Sequence, residues 1–210
     1  MADYRGFGAD RDQLTRYLQL LSENPPHAEQ WSQQQQLAYW INAYNAFTVE
    51  LVLRHYPIES IKDIGSAIQV PFINTPWDIK FIEIGGVKMD LNQIEHGILR
   101  KNFDEPRIHF AINCASFSCP VLIREAFSAD KIEQQLHARA VAFINDPARN
   151  KIGKKEVQLS KIFRWFQGDF TQDGTLIEYL NRYSKTRIDK NAEITFMDYD
   201  WTLNDVQKAD

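Results

Sequence analysis

The feature that most constrains this fold is a long helix that is apolar on nearly every side. Its middle is the run LAYWINAYNAFTVELVL at 37–53, and helical spacing extends from about Ser32 to His55, just before Pro57. A helix that lies on a protein surface keeps one polar face, whereas a helix with apolar residues all round is buried. The sequence therefore predicts a domain whose other elements pack around this helix.

Composition places the chain among ordinary globular proteins. Its 210 residues are 44% apolar and 25% charged, and the formal net charge is only -4. Lys and Arg are scattered, so the sequence lacks the basic stripe that nucleic-acid-binding proteins carry. No run of about 18 apolar residues occurs, so we expect no membrane span. No repeat or long linker divides the chain, so one domain is expected over 1–210.

Turn residues and helix breakers divide the rest of the chain into short elements. A helix is expected over Asp10–Leu21, and PWDIKFIEIGGVKMD at 76–90 is expected to form a hairpin around Gly85-Gly86. The remaining expected elements are a helix at 91–101 capped by Asp90, a strand at 107–112, a helix from Ser128 to 143 or 144, a hairpin at 150–159, helices near 160–166 and 174–183, and a closing strand at 193–201. This order lacks a regular βαβ rhythm, which predicts an α+β fold with a small, mostly antiparallel sheet.

Glu95 falls in the middle of the apolar arc of the expected helix LNQIEHGILRK. An ionised carboxylate among core side chains is costly unless it is paired or hydrogen-bonded. Burial would raise its pKa, whereas a neighbouring cation would lower it. Arg107 and His109 on the following strand are the nearest candidate partners. Glu95 therefore belongs either to a structural ion pair between helix and strand or to a catalytic site.

His96 lies on the flank of the same helix, where it can face a cleft. A single histidine in this position is more often a surface residue than a functional one. Neighbouring side chains on a helix diverge, so Glu95 is not expected to orient His96.

The segment RIHFAINCASFSCP at 107–120 contains both cysteines of the chain, Cys114 and Cys119. If 107–112 is a strand, His109 lies roughly 16 Å from Cys114, too far to act as its base. His96 is then the most natural base. Asn113 would cap a short helical turn whose backbone N–H groups lower the thiol pKa and hold an oxyanion.

Other interpretations of the two cysteines remain open. A Cys-x4-Cys disulfide is geometrically possible and requires an oxidising compartment. Zinc is less favoured, because structural zinc sites usually combine two cysteine knuckles with shorter spacings. Two reduced cysteines that only pack in the core are the remaining possibility. Ser116 and Ser118 add hydroxyl donors to the same loop.

Polar residues elsewhere supply further candidates. Asn42 and Asn45 share one face of the long helix, and buried amides of this kind bind loop backbone more often than substrate. Asp200 lies between Tyr199 and Trp201, where it either orients a histidine or ends a strand.

Seven motifs, taken together, make the chain resemble the bacterial and plant domain-of-unknown-function family 547. They are YWINAYNAFT (39–48), SIKDIG (60–65), PWDIKF (76–81), LNQIEHGILR (91–100), RIHFAINCASFSCP (107–120), LSKIFRWFQGDF (159–170) and YDWTLN (199–204). They occur in the family's order and span about residues 3–204. The one mild departure is WFQGDF, where the family often has Trp-Tyr before Asp-Phe.

The resemblance implies a set of recurrent polar positions but no reaction. These positions are Asn42, Asn45, Glu95, His96, Arg107, His109, Cys114, Ser116, Ser118, Cys119 and Asp200. Bacterial members of the family look mostly exported. The resemblance therefore implies a periplasmic or secreted protein whose signal peptide has been trimmed. The N-terminus MADYRGFGAD, which does not read as a signal peptide, keeps a cytoplasmic protein as the alternative.

The leading functional hypothesis is a cysteine-dependent hydrolase or acyl transferase that acts on peptide or amide bonds. Cys114 would be the nucleophile and His96 the base, with the backbone of 114–116 as oxyanion hole. Arg107 and Asn45 would bind the substrate. A papain-like or transglutaminase-like arrangement would suit it, by analogy of fold alone.

Two other functions are weighed against this hypothesis. The main rival is a module that binds a small peptide, amino acid or thiol compound, with the cysteines disulfide-bonded or inert. A third reading is a metal-dependent hydrolase that uses His96, His109 and Cys114, although no cofactor or metal is expected.

Overall fold

The computed structural model describes residues 1–65 and 75–208, and a long central helix, α3 (Gln33–Leu53), dominates it. Ser32 caps this helix by accepting a hydrogen bond from the Gln35 N–H, while the Gln35 side chain accepts one from the Ser32 N–H. Ile41 and Val52 are completely buried, and buried residues occur on every side of the helix. The prediction of a buried central helix is confirmed.

Two helices at the N-terminus pack on α3. They are α1 (Tyr4–Ala9) and α2 (Arg11–Glu23), of which only the second was predicted. The Tyr39 hydroxyl donates a hydrogen bond to the Leu21 carbonyl at 2.6 Å, which joins α3 to α2.

The predicted Gly-Gly hairpin is confirmed as two antiparallel strands, β1 (Ile82–Ile84) and β2 (Val87–Met89). Gly85 and Gly86 have φ of +59° and +76°, the left-handed conformation that a two-residue turn between twisted strands requires.

A second sheet contains three strands, β3 (Lys151–Ile152), β4 (Glu156–Leu159) and β5 (Glu193–Phe196). The β3–β4 pair is the predicted antiparallel hairpin, whereas β5 pairs parallel to β4. Three short helices, α6 (Ile162–Trp165), α7 (Gln167–Phe170) and α8 (Leu176–Asn181), form the crossover that this parallel pairing needs.

The helix predicted to start after Ser128 begins later, as α5 (Ile132–Ile144). The Ser128 hydroxyl donates to the Asp130 carboxylate at 2.6 Å instead of capping the helix.

The helix predicted at 91–101 is present, but most of it is a π-helix over Gln93–Leu99, continued by α4 (Arg100–Asn102). Asp90 caps it as predicted, because its carboxylate accepts from the Gln93 N–H at 2.7 Å. A π-helix is rare and is found frequently at functional sites.

The prediction of a strand at 107–112 is wrong, because Pro106–Phe110 forms a 3-10 helix. Pro106 occupies its first turn, and the Glu105 side chain accepts from the Arg107 N–H at 3.1 Å. Alternating apolar residues here serve two hydrophobic cores: Ile108 packs in the core around α3, and Phe110 packs in the core beneath the second sheet.

Together these elements form the predicted α+β domain, with helices and two small sheets around a buried central helix. In the described part of the chain, none of the helices is both long enough and apolar enough to span a bilayer.

Candidate functional site

A cavity of about 150 Å³ lies where the two hydrophobic cores meet, and its volume suits a group about the size of one aromatic ring. Elements from six parts of the chain line it. The lining residues are Tyr44, Trp77, Asn92, Glu95, His96, His109, Ile112, Cys114, Cys119, Pro120, Ile162, Trp165, Phe166, Tyr199 and Trp201.

Aromatic rings form much of the cavity wall. Trp201 lies 5.7 Å from Trp77 and 5.8 Å from Trp165 between ring centroids, and Tyr199 lies 4.6 Å from Trp201. The Lys62 ammonium, from a residue outside the cavity lining, lies 3.8 Å from the Trp201 ring centroid. This cation–π contact shows that the aromatic group attracts a cation.

The turn that carries Trp77 is fixed to the π-helix. The Asp78 carboxylate accepts from the Thr75 N–H at 2.9 Å and from the Asn92 side-chain amide at 2.6 Å. These contacts place the Trp77 ring beside the residues that the π-helix contributes to the cavity.

Glu95 is the buried carboxyl group of the cavity, and it is 8% exposed. Among residues 1–65 and 75–208, no Lys, Arg or His nitrogen lies within 4.0 Å of its oxygens. Burial raises its pKa to about 7, an effect that a hydrogen bond with the Tyr44 hydroxyl and the more distant Arg100 only partly offset. Glu95 therefore changes charge near neutral pH.

His96 lies exposed at the rim of the cavity, and its Nδ1 is 3.2 Å from a guanidinium nitrogen of Arg100. A guanidinium can only donate hydrogen bonds, so Nδ1 accepts and the ring proton is on Nε2. Desolvation and the Arg100 charge both lower the pKa of His96. The lone pair that a general base needs is therefore directed at Arg100.

His109 is buried and stacks on Phe166 with 3.9 Å between ring centroids. Its Nε2 hydrogen-bonds the Asp169 carboxylate at 2.7 Å, and Arg100 donates two further hydrogen bonds to the same carboxylate. Burial lowers the pKa of His109, which the Asp169 charge only partly offsets. Burial alone would raise the pKa of Asp169, but the bonds from Arg100 and His109 hold it below its ordinary value.

The two cysteines form a disulfide on the cavity wall. Cys114 is partly exposed and Cys119 is buried. The Tyr199 hydroxyl lies 3.3 Å from Cys114 Sγ and 3.4 Å from Cys119 Sγ, and the Ser116 hydroxyl donates to it at 3.0 Å.

The loop between the cysteines does not begin with the predicted helical turn. The Asn113 side chain accepts from the Ala115 N–H at 2.9 Å, which closes a tight turn in which Ala115 has φ of +64°. The Cys114 N–H donates to Cys119 Sγ at 2.9 Å. Two of the backbone donors proposed for an oxyanion hole are therefore already used.

The sequence profile of a protein family described as "Protein of unknown function, DUF547" matches residues 28–144. The chain belongs to the DUF547 family. No curated protein and no solved structure matches it.

The DUF547 match covers more than half of the chain and includes the π-helix and the cysteine loop. The motifs at 159–170 and 199–204 lie outside the matched range, although they supply cavity walls through Trp165, Tyr199 and Trp201.

The partners predicted for Glu95 are wrong. Arg107 pairs with the carboxylates of Glu105 and Glu133, and His109 pairs with Asp169. Arg107 also lies outside the lining of the cavity, so its predicted contact with substrate is not supported there.

Asn42 and Asn45 hold loops, which is the alternative that the sequence favoured over substrate contact. The Asn42 side chain donates to the Phe127 carbonyl at 2.8 Å and accepts from its N–H. Asn45 donates to the Ala111 carbonyl at 3.0 Å and accepts from the Asn113 N–H at 2.8 Å. Asn45 thereby fixes the start of the cysteine loop.

Asp200 and Ser118 stabilise the join between the cysteine loop and the C-terminal segment. The Asp200 carboxylate accepts from the Thr202 N–H and hydroxyl, and the Ser118 hydroxyl accepts from the Asp200 N–H at 2.9 Å. Asp200 is exposed and orients this turn, with neither His96 nor His109 as its partner.

Sequence reasoning missed the aromatic wall and the anchor of His109. Trp165, Phe166 and Asp169 all belong to the motif WFQGDF, in which no local pattern indicates a functional site. Three of the five tryptophans line one cavity, and only the fold reveals that they meet. In the two described ranges, no group of three or more His, Cys, Asp or Glu residues is placed to hold a metal ion.

Proposed function

We propose that the protein binds a small amino-acid-like or peptide-like ligand and holds its ammonium group in the aromatic cavity. The observation that carries this proposal is Glu95, a buried carboxyl group on the cavity wall without an ion-pair partner in the described residues. A bound ammonium group would provide the missing counter-charge. Burying a charge is costly unless it is paired, so an apolar ligand gains nothing comparable from this carboxyl group.

The surrounding walls support a cationic group. Trp77, Trp165, Trp201 and Tyr199 present aromatic rings, whose faces attract cations by about 0.5 to 2 kcal/mol each. The cavity volume of about 150 Å³ accommodates only a small group, so the rest of a peptide-like ligand would extend from the rim. The exposed His96 lies at that rim, beside the part of the ligand that would extend from the cavity.

The test is a comparison of choline with its neutral tert-butyl analogue, together with an amino-acid amide, by calorimetric titration. We expect the cations to bind more tightly than the neutral analogue, and Glu95→Gln to reduce that preference to the part that the aromatic rings supply. Glu50→Gln is the matched control, because Glu50 is a buried carboxylate that Arg11 and Arg54 already pair, outside the cavity. Equal binding of choline and its neutral analogue by the unchanged protein would refute the proposal.

The pH dependence gives a second readout. Because Glu95 has a pKa of about 7 and must ionise to pair with a cation, affinity should fall by up to about tenfold for each pH unit below that value. Above it, affinity should level off.

A cysteine-dependent hydrolase or acyl transferase that acts on peptide or amide bonds is the second candidate. The observation that favours it is that Cys114 and His96 line the same cavity. It would require reduction of the disulfide and release of His96 from Arg100. Amide hydrolysis that appears only with a reducing agent, and is lost in Cys114→Ala and His96→Ala, would support it. Full activity in those variants would contradict it.

A periplasmic or secreted location is part of the same proposal. The disulfide supports it, since such bonds persist in oxidising compartments. Alkylation of free thiols in intact cells, followed by fractionation, would test both location and oxidation state.

A further inference from the structure

The Cys114–Cys119 disulfide faces the cavity instead of being enclosed in a core. Cys114 is partly exposed on the wall, whereas only 3% of Cys119 is exposed. A thiol that enters the cavity would therefore meet Cys114 Sγ first. Access of this kind separates reactive disulfides from structural ones.

The buried sulfur has hydrogen-bond donors already directed at it. The Cys114 N–H donates to Cys119 Sγ at 2.9 Å, and the Tyr199 hydroxyl, which also lies 3.3 Å from Cys114 Sγ, can direct its single proton to Cys119 Sγ at 3.4 Å. Donors of this kind stabilise a thiolate more than a thiol. A thiol of lower pKa is also the better leaving group in disulfide exchange.

We propose that this disulfide exchanges with small thiol compounds, with Cys114 as the attacked sulfur and Cys119 as the leaving thiolate. A thiolate attacks Cys114 Sγ, a mixed disulfide forms there, and the electron pair of the broken bond stays on Cys119 Sγ. A second thiolate attacks the external sulfur of the mixed disulfide and releases Cys114. Overall, two thiols become one small disulfide, and their two protons end on Cys114 and Cys119. This activity goes beyond ligand binding and does not depend on the ammonium site.

The experiment incubates the folded, oxidised protein with reduced glutathione, traps free thiols with a large excess of a fast-reacting maleimide and locates each adduct by fragment-ion mass spectrometry. We expect glutathione on Cys114 and the alkylating agent on Cys119. Glutathione found on Cys119, or reaction only after denaturation, would overturn the proposal. This measurement needs no variant, so it does not depend on a mutant folding.

A variant tests the role of the tyrosine hydroxyl. Tyr199→Phe keeps the ring contacts with Trp165 and Trp201 but removes one donor to the leaving sulfur. We expect exchange to slow by about fivefold, and the pH midpoint for alkylation of reduced Cys119 to rise. Tyr183→Phe, outside the cavity, is the control and should change neither. An unchanged rate and midpoint in Tyr199→Phe would remove the tyrosine from the mechanism.

Discussion

Replacing Glu95 by Gln should stabilise the protein at alkaline pH, although the side chain is buried. Gln has nearly the same shape and can still accept a hydrogen bond from the Tyr44 hydroxyl. What it lacks is the charge that burial disfavours. The variant therefore isolates the energetic effect of ionising this one carboxyl group.

The magnitude follows from the pKa of Glu95. Burial raises it from 4.5 to about 7, so the folded state holds this proton more tightly than the unfolded state does. Stability must then decrease as pH rises between these two values, because the unfolded state releases the proton first. The loss of stability caused by this shift is about 3 kcal/mol at pH 8, where it is nearly complete, and about 1 kcal/mol at pH 5. Glu95→Gln should gain these amounts relative to the unchanged protein.

Urea unfolding followed by tryptophan fluorescence at several pH values measures this difference. Comparing variant with parent at each pH cancels the other titrating groups, such as Asp169, whose lowered pKa acts in the opposite direction. Glu50→Gln is again the control, since it leaves Arg11 and Arg54 without their carboxylate partner. It should lose about 1 kcal/mol at pH 8.

Two results would refute the reasoning. One is a stability difference between Glu95→Gln and the parent that does not change with pH. The other is a variant less stable than the parent at pH 8, which would mean that the Glu95 carboxylate has a strong stabilising partner in the folded protein.

Three further predictions concern residues around the cavity. Asn45→Ala should lower the free energy of unfolding by about 2 to 3 kcal/mol, because it leaves two backbone groups near the cysteine loop without partners; in chemical unfolding, Asn42→Ala should cost less because Asn42 is less buried. Replacing both Cys114 and Cys119 by Ser should cost about 2 kcal/mol, the entropy of a short closed loop, and no loss in urea unfolding would show that the cysteines are not paired. Arg107→Lys should lower stability by about 1 kcal/mol through loss of its forked contacts with two carboxylates; a change in choline affinity on titration would contradict its position outside the cavity.

Much of the fold could be predicted because its signals are local. The buried α3 helix follows from apolar residues on all sides, and the β1–β2 turn follows from two adjacent glycines that tolerate positive φ. The strand predicted at 107–112 failed for an equally definite reason. Alternating apolar residues indicate a strand when their side chains all face one side of a sheet. Here the apolar side chains Ile108 and Phe110 point into two separate hydrophobic cores from a 3-10 helix.

The candidate site was only partly visible in the sequence. Helical spacing predicted that Glu95 is buried, and the cysteine loop was recognised as a place where chemistry could occur. The partner of His109 could not be predicted, because Asp169 lies 60 residues further along the chain and no local pattern links them.

The sequence by itself determined that α3 and Glu95 are buried, that the chain turns at Gly85-Gly86 and which family it belongs to, since these depend on the order of neighbouring side chains. Only the tertiary structure decided that Glu95 lies among aromatic rings, that His96 faces Arg100 and that Cys114 is bonded to Cys119. The physical reason is that burial depends mainly on how favourably water solvates each side chain, which is a property of the residue type. Pairing depends on distances between side chains that are brought together only when both cores have formed.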